Sequence, residues 1–277
     1  MKSLKKVGIL FLLLIVGWIA IILVLSLFFR INPLDFFSHS RTNIFLNVVF
    51  FILLYGLVMS LIHFKLKNEG RGGLKGLGLS PGKYGYEKIF IGVLVFFLAF
   101  STYSLILVLS GAASFKCPGV GKFVLGILSA ILFGFLISFI EEILFRGYIF
   151  QTLMKDFSIP AALLLTNVPF ALLHIFRSGS FTFKLMIFLG ILTLGTVLSY
   201  LYLSSESLWM CVGAHGSLVA CMYMFSTFLS INKEIYSKQP IIWGMREIPV
   251  AGVAGIALIL FATIAMVIIL RRARSGI

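Results

Sequence analysis

Long uninterrupted apolar stretches constrain this chain more than any other feature. A helix needs roughly 20 consecutive, mostly apolar residues to cross a bilayer. The bilayer core offers no water to unpaired backbone groups, so such stretches form helices or the strands of a closed barrel. None of them alternates between polar and apolar residues, which favours helices. The sequence predicts an all-α, polytopic transmembrane helical bundle with about eight spanning helices, at residues 7–29, 43–64, 88–112, 121–145 or beyond, 159–176, 184–203, 207–229 and 249–270.

The composition agrees with a membrane protein and excludes a soluble one. Hydrophobic residues make up 60% of the 277 residues and charged residues 12%, whereas about a quarter of the residues of soluble domains are charged. The net charge of +14 comes with no basic stretch that suits a nucleic-acid-binding fold, so nucleic acid is excluded as a partner. We expect residues 1–277 to form a single integral membrane domain.

The basic residues predict the orientation of the bundle. Lys and Arg collect in the cytoplasmic loops of membrane proteins, and with eight spans 14 of the 23 here fall on the side that holds both termini. Both termini are therefore predicted to be cytoplasmic in a multi-pass protein of the cell membrane, with the first apolar run retained as an anchor. The glycine-rich, basic connector 65–88 is predicted to be a cytoplasmic loop that contacts anionic lipid.

Two of the nine acidic residues lie where a charge is costly. Glu141 and Glu142 follow at least a dozen mostly apolar residues, and a charge at the bilayer centre costs roughly 2.5 to 3.5 kcal/mol on insertion scales. Arg146 lies four residues after Glu142 on the same helical face, which predicts an intramembrane ion pair. Glu141 has no charged residue at the equivalent positions, so it is the candidate general base. The alternative is that both acids only pair with basic groups to hold helices together.

Two histidines lie inside other apolar runs. His174 shares a helical face with Phe170 and Asn167, and His215 lies in the seventh run. One Glu as base, with two His that orient water, protonate a leaving group or donate to an oxyanion, forms a hydrolytic set. Glu141, His174 and His215 are also a possible ligand set for catalytic zinc, although no H-E-x-x-H motif is present. Proton transport is a third use of buried Glu and His.

These residues fall into short motifs that resemble those of the CAAX prenyl protease and bacteriocin-processing family (CPBP, also called Abi), which includes the Rce1-type CAAX proteases. The matches are, in order, E-E-x-x-x-R at 141–146, F-x-x-x-H at 170–174 and half of H-x-x-x-N or D at 215–219. The resemblance covers about 121–231, which is expected to form the CPBP/Abi-like catalytic core.

The resemblance implies a glutamate-dependent endopeptidase that hydrolyses a peptide bond of a membrane-associated protein or peptide precursor, a prenylated one included, near the cytoplasmic face. Glu141 would activate water with His174, and His215 would help to bind the oxyanion. No cofactor is expected, and zinc held by those three residues is the alternative. The residues expected to support the site are Glu142, Arg146, Phe170 and Asn167.

Val219 departs from the third motif, because valine cannot donate the hydrogen bond expected of asparagine. The loss of one oxyanion donor costs roughly 2.7 to 4 kcal/mol. Either Asn167 or a backbone group substitutes, or the enzyme is slow, or the chain is no longer a protease. The alternative function is therefore a catalytically weak or inactive membrane partner, such as a bacteriocin immunity protein or a regulatory scaffold.

Glu141 and His174 can meet only if the fourth helix is long enough. If this helix ended one turn after Glu141, that residue would lie at the cytoplasmic edge. His174 would lie about 15 residues into the next helix, and the two could not meet. Residues 146–157 are still largely apolar. The fourth helix is therefore predicted to continue through Tyr148 and Phe150, with the site in a hydrophilic cavity within the bundle.

Overall fold

The computed structural model describes residues 2–33, 44–77, 79, 83–176, 179–244 and 248–275, and in this part the chain is almost entirely helical. The helices are α1 (Lys2–Phe29), α2 (Ile44–Asn68), α3 (Lys83–Leu109), α4 (Val120–Glu142), α5 (Gln151–Leu153), α6 (Ile159–Leu172), α7 (Phe181–Ser205), α8 (Leu208–Phe228), α9 (Lys233–Tyr236), α10 (Pro240–Trp243) and α11 (Val253–Ser275). A π-helical segment (Ile143–Phe150) joins α4 to α5, and 3-10 turns lie at Gly73–Leu77 and Pro249–Ala251. Two short strands, β1 (Ala113–Phe115) and β2 (Leu229–Ile231), pair in antiparallel fashion.

The predicted all-α, polytopic membrane bundle is confirmed. Six helices of the described chain are long and apolar enough to cross a membrane, and two shorter apolar helices cover 159–172 and 253–269. The eight predicted runs thus all contain helices, but α6 has only 14 residues. At 1.5 Å per residue it is roughly 21 Å long, which is less than the bilayer core of about 30 Å.

The predicted continuation of the fourth helix is also confirmed. The chain stays helical from Val120 to Leu153, and the π-helical segment Ile143–Phe150 follows α4 directly. Glu141 therefore lies about 12 residues, or roughly 18 Å, from the end of this long helix. A π-helical segment inside an α-helix is rare and is frequently found at functional sites.

Polar contacts bring the start of α1 to the ends of α2 and α5. The backbone N–H of Ser3 donates to Asp156 at 2.8 Å, and the Lys6 ammonium lies 3.0 Å from the Glu69 carboxylate. Lys155 contacts the same carboxylate at 3.5 Å. These residues define one end of the bundle, which we name the N-terminal face.

Glu69 is the centre of this contact network. It accepts a hydrogen bond of 3.1 Å from the Tyr148 hydroxyl, in addition to its contacts with Lys6 and Lys155. Burial would raise the pKa of the Glu69 carboxyl, but the hydrogen bonds and positive charges of these partners hold it below its ordinary value. The carboxylate is therefore ionised at neutral pH and clamps α1 to the end of the long fourth helix.

The connector between α2 and α3 is shorter than the predicted range 65–88, because helix reaches Asn68 on one side and begins again at Lys83 on the other. Its 3-10 turn is anchored in the bundle, since Leu77 is fully buried. A side chain on Gly147 would lie 3.4 Å from Leu77, so the connector packs against the π-helical segment.

The opposite end of the bundle carries the two strands. Ala113 pairs with Ile231 and Phe115 with Leu229, which links the end of α3 to the end of α8. The chain enters α4 from this end and leaves α5 at the N-terminal face. We name this end the strand face.

Helix α8 occupies the centre of the bundle between α3 and α4. Its glycines permit close approach: a Cβ on Gly213 would lie 2.3 Å from the Ile89 carbonyl oxygen of α3. On the α4 side, a Cβ on Gly134 would lie 2.7 Å from the Gly216 carbonyl oxygen. Small residues at crossings let helix backbones pack closely in membranes, so α8 can hold a polar side chain between its neighbours.

The close contact between α4 and α8 gives a stability prediction. Gly134→Ala forces the two backbones apart, and overpacking of this kind costs about 1–3 kcal/mol. The matched control is Gly56→Ala in α2, where an added Cβ has no atom within 4 Å and alanine is favoured over glycine in a helix. We expect the thermal unfolding temperature in detergent to be lower than that of the parent for Gly134→Ala but not for Gly56→Ala. Equal unfolding temperatures for the two variants would contradict the close packing.

Candidate active site

A buried ion pair lies in the interior of the bundle. The Arg146 guanidinium donates from Nη1 to Oε1 of Glu142 at 2.8 Å, and both residues are fully buried. The pair predicted from their spacing is thus present. Arg146 was counted among the 14 basic residues on the side of the termini. It lies inside the bundle rather than in a connector, so it should be left out of that count.

The remaining contacts of Arg146 tie three elements together. Its Nη2 atom donates to the Gly195 carbonyl oxygen of α7 at 2.9 Å and to Asn167 Oδ1 of α6 at 3.3 Å. Asn167 in turn donates from Nδ2 to the Ser199 hydroxyl at 3.2 Å. The guanidinium carbon lies 4.7 Å from the centre of the Phe170 ring, a cation–π contact. The π-helical segment, α6 and α7 are therefore joined at one charged group.

Gly195 is required for this arrangement. A Cβ at this position would lie 2.8 Å from Asn167 Oδ1 and 3.1 Å from the Phe170 ring. Only a glycine leaves room for both side chains while its own carbonyl accepts from Arg146. Neither Gly195 nor Ser199 was predicted as part of the site, although small residues four apart in an apolar helix signal a close crossing.

His215 bridges the two adjacent glutamates. Its Nδ1 atom lies 2.8 Å from Oε1 of Glu142, and its Nε2 atom lies 3.8 Å from Oε2 of Glu141. A carboxylate only accepts hydrogen bonds, so Nδ1 carries a proton, and in the neutral ring Nε2 presents its lone pair toward Glu141. Sequence analysis did not predict the contact with Glu142, because it joins helices 73 residues apart.

Glu141 differs from its neighbour in exposure. Its side chain is 25% exposed, whereas that of Glu142 is 0% exposed. The Oε2 atoms of both glutamates are buried and have no hydrogen-bond partner in the described part of the chain. Adjacent residues on a helix point about 100° apart, so one carboxylate faces the charged core and the other faces open space.

His174 lies in the turn that follows α6. Its Nδ1 atom lies 2.8 Å from the Phe170 carbonyl oxygen. A carbonyl accepts, so Nδ1–H donates and Nε2 of the neutral ring is the acceptor. The His174 ring also packs edge-on against the Phe170 ring, with 4.8 Å between the centroids. Phe170 thus orients His174 through both its backbone and its side chain.

The three predicted catalytic residues line one cavity of about 490 Å³, a size typical of small-molecule sites. Tyr223 is the fourth polar side chain in its wall, and it was not predicted. The other lining residues are Ile137, Ile187, Ile191, Leu194, Leu218, Val219, Met222, Ile248 and Val250. The wall is therefore mostly apolar, whereas a hydrophilic cavity was predicted.

The predicted supporting residues lie around this cavity rather than in its wall. Asn167 and Phe170 are fully buried and contact Arg146, so Asn167 is not positioned to replace the missing donor at Val219. Val219 itself lines the cavity, one helical turn after His215. The wall at this point is apolar where the third motif would supply an amide.

The arrangement fits proton transfer better than metal binding. In the described part of the chain no three or more His, Cys, Asp or Glu side chains form a group that could hold a metal ion. Glu141, His174 and His215 do not form such a group in the described structure. Two imidazole nitrogens and one carboxylate facing the same space can accept, hold and return protons.

Residues 177 and 178, between α6 and α7, and residues 245–247 lie outside the described residues. None of them belongs to the predicted site. The proposed cavity depends only on residues that the structure describes.

Comparison with known proteins supports the resemblance found in the motifs. No curated protein and no solved structure matches the chain. One family model, that of a CAAX-type protease, does match. The matched segment contains both glutamates, Arg146 and both site histidines. Residues 123–221 match the family described as type II CAAX prenyl endopeptidase Rce1-like, so the family predicted from the motifs is confirmed over this segment.

Proposed function

We propose that the chain is a glutamate-dependent intramembrane endopeptidase. Its substrate would be a membrane-associated protein or peptide precursor, including one that is prenylated. The observation that carries the proposal is the convergence of Glu141, His174 and His215 on one cavity. The other residues of the wall are mostly apolar, which suits an apolar peptide or an attached lipid.

The proposed reaction uses Glu141 as the general base. Its carboxylate takes a proton from a water molecule, and the oxygen of that water attacks the carbonyl carbon of the scissile peptide bond. The C–N bond then breaks, and the proton passes to the leaving amine. His174 orients the water through Nε2 or relays the proton, because its Nδ1 is held by Phe170.

His215 is proposed to stabilise the charge that develops on the carbonyl oxygen. With Nδ1–H donated to Glu142, its Nε2 atom donates to an oxyanion only when the ring carries a second proton. Glu142 fixes the orientation of this ring, and Arg146 fixes Glu142. The pair is therefore a positioning device rather than part of the bond-breaking chemistry.

The chain is a multi-pass membrane protein, and we propose the cell membrane as its location with both termini cytoplasmic. Without Arg146, the loop residues still place more Lys and Arg on the N-terminal face than on the strand face. Lys6 and Lys155 at that face are 43% and 49% exposed, and such residues attract anionic lipid. No cofactor is needed in this proposal.

Val219 favours a second candidate function, that of a catalytically weak or inactive membrane partner. The valine lines the cavity where the family motif has a donor, and the described wall offers no amide in its place. A bacteriocin immunity protein or a regulatory scaffold would keep the fold and the buried ion pair without turnover.

Removing the base tests the proposed function. Glu141→Gln keeps the shape of the side chain but removes its basicity, so we expect hydrolysis of a membrane-bound peptide in proteoliposomes to fall by about 10²–10⁴-fold. The matched control is Glu234→Gln, at a side chain that is 82% exposed, which should keep the parent rate. Cleavage by Glu141→Gln at the parent rate would remove Glu141 from the mechanism.

The buried pair gives a stability prediction. Arg146→Met leaves Glu142 as an uncompensated buried charge, which costs roughly 3–5 kcal/mol. The matched control, Lys155→Met, removes an exposed ion pair worth about 0–1 kcal/mol. Denaturation in detergent should separate the two variants clearly. Similar unfolding midpoints would show that Arg146 does not hold the bundle together.

Restoring the third motif separates the two candidate functions. Val219→Asn adds a donor to the cavity, and one oxyanion donor changes rates by about 10²–10³-fold in enzymes where it has been tested. We therefore expect peptide hydrolysis by Val219→Asn to rise by about 10²-fold or more. Val219→Leu, of similar size but without a donor, is the control. Equal rates for parent, Asn and Leu variants would favour the inactive partner.

A further inference from the structure

Packing around Glu141 is closed on the side of the N-terminal face. The long helix continues from Glu142 toward that face, and nearly every side chain along it is buried. Residues of this stretch at 0 to 2% exposure are Glu142, Ile143, Phe145, Arg146, Tyr148, Ile149 and Phe150. Leu77 from the connector is also fully buried against this stretch. Among the described residues, the bundle is therefore closely packed between Glu141 and the N-terminal face.

The cavity extends from Glu141 in the opposite direction. On α8 its wall runs from His215 to Tyr223, toward the end of the helix that leads into β2. On the long fourth helix the wall includes Ile137, which precedes Glu141 and lies nearer to β1. Ile187 on α7 lies near the start of that helix, six residues after Phe181. All three elements place the open space on the side of the strand face.

The short helix α6 supports a water-filled cavity on this side. It ends at Leu172, roughly 21 Å from its start near the N-terminal face. Non-helical backbone at membrane depth is tolerated only where it is buried in protein or lines a water-filled cavity. His174 lies in this non-helical stretch and faces the cavity. A cavity that holds water on the side of the strands would meet this requirement.

We infer that water and substrate reach Glu141 from the strand face, on the side of the membrane opposite to the termini. With cytoplasmic termini, the scissile segment enters from the extracytoplasmic half of the bilayer, whereas the sequence led us to expect the cytoplasmic face. The occupant is an extended apolar peptide segment of a membrane-anchored substrate, held by aliphatic side chains such as Ile137, Ile191 and Leu194. The statement about substrate rests on the proposed function; the side of access does not.

Native Cys117 provides a reporter for the strand face, because it is exposed and lies two residues after β1. The other two cysteines, Cys211 and Cys221, are buried. In a Cys117→Ser background, Val219→Cys places a thiol in the cavity and Lys155→Cys places one at the N-terminal face. The parent background without added cysteine is the blank.

The test is labelling with a small, charged, membrane-impermeant thiol reagent in right-side-out and inside-out vesicles. We expect the cavity thiol of Val219→Cys to react at least about tenfold faster in the vesicles in which native Cys117 reacts. Lys155→Cys should show the opposite preference. The comparison is relative, so it holds for either orientation of the protein in the membrane.

Labelling of Val219→Cys with the preference of Lys155→Cys, or from neither side, would overturn the inference. Labelling does not require catalysis, so its outcome is independent of the proposed function. If the cavity thiol reacts from the strand face but peptide hydrolysis is unaffected by Glu141→Gln, the proposed function fails and the side of access stands.

Discussion

The buried ion pair between Arg146 and Glu142 is the constraint on which the rest of the bundle depends. Two charges removed from water are costly unless further hydrogen bonds satisfy them. Asn167 and the Gly195 carbonyl accept from Arg146, and His215 donates to Glu142. In the described part of the chain, Oε2 of Glu142 and Nε of Arg146 are buried without a hydrogen-bond partner. The π-helical segment, α6, α7 and α8 must therefore lie at fixed distances around one point, which a purely apolar contact would not require.

This constraint also explains the small residues of the surrounding helices. Gly195 leaves space for Asn167 and the Phe170 ring, and Gly216 allows α8 to lie against α4 at the level of His215. Apolar contacts alone do not drive helices together in lipid, so close packing and polar contacts have to do so. The glycines and the charged network thus depend on each other, because the close approach of the helices brings the hydrogen-bonding groups within bonding distance.

The sequence predicts those features that depend on local spacing. The helices follow from apolar runs, and the Glu142–Arg146 pair follows from a separation of four residues. The contact between His215 and Glu142 joins residues 73 positions apart, and no local pattern encodes which helices are neighbours. The short α6 and the apolar wall of the cavity were missed for the same reason, because both depend on how the fourth helix, α7 and α8 surround His174.

Two adjacent carboxylates acquire different roles because helical geometry separates them. Glu142 points into the network of Arg146 and His215. Loss of its negative charge would disturb the contacts that join the π-helical segment, α6, α7 and α8. Glu141 points about 100° away and lines the cavity, where its Oε2 atom lies 3.8 Å from Nε2 of His215. At 3.8 Å the two groups interact through charge rather than through a hydrogen bond. The His215 ring links this interaction to the fixed charge of Glu142. The buried pair can therefore influence the charge of Glu141 although neither Glu142 nor Arg146 is among the described residues that line the cavity.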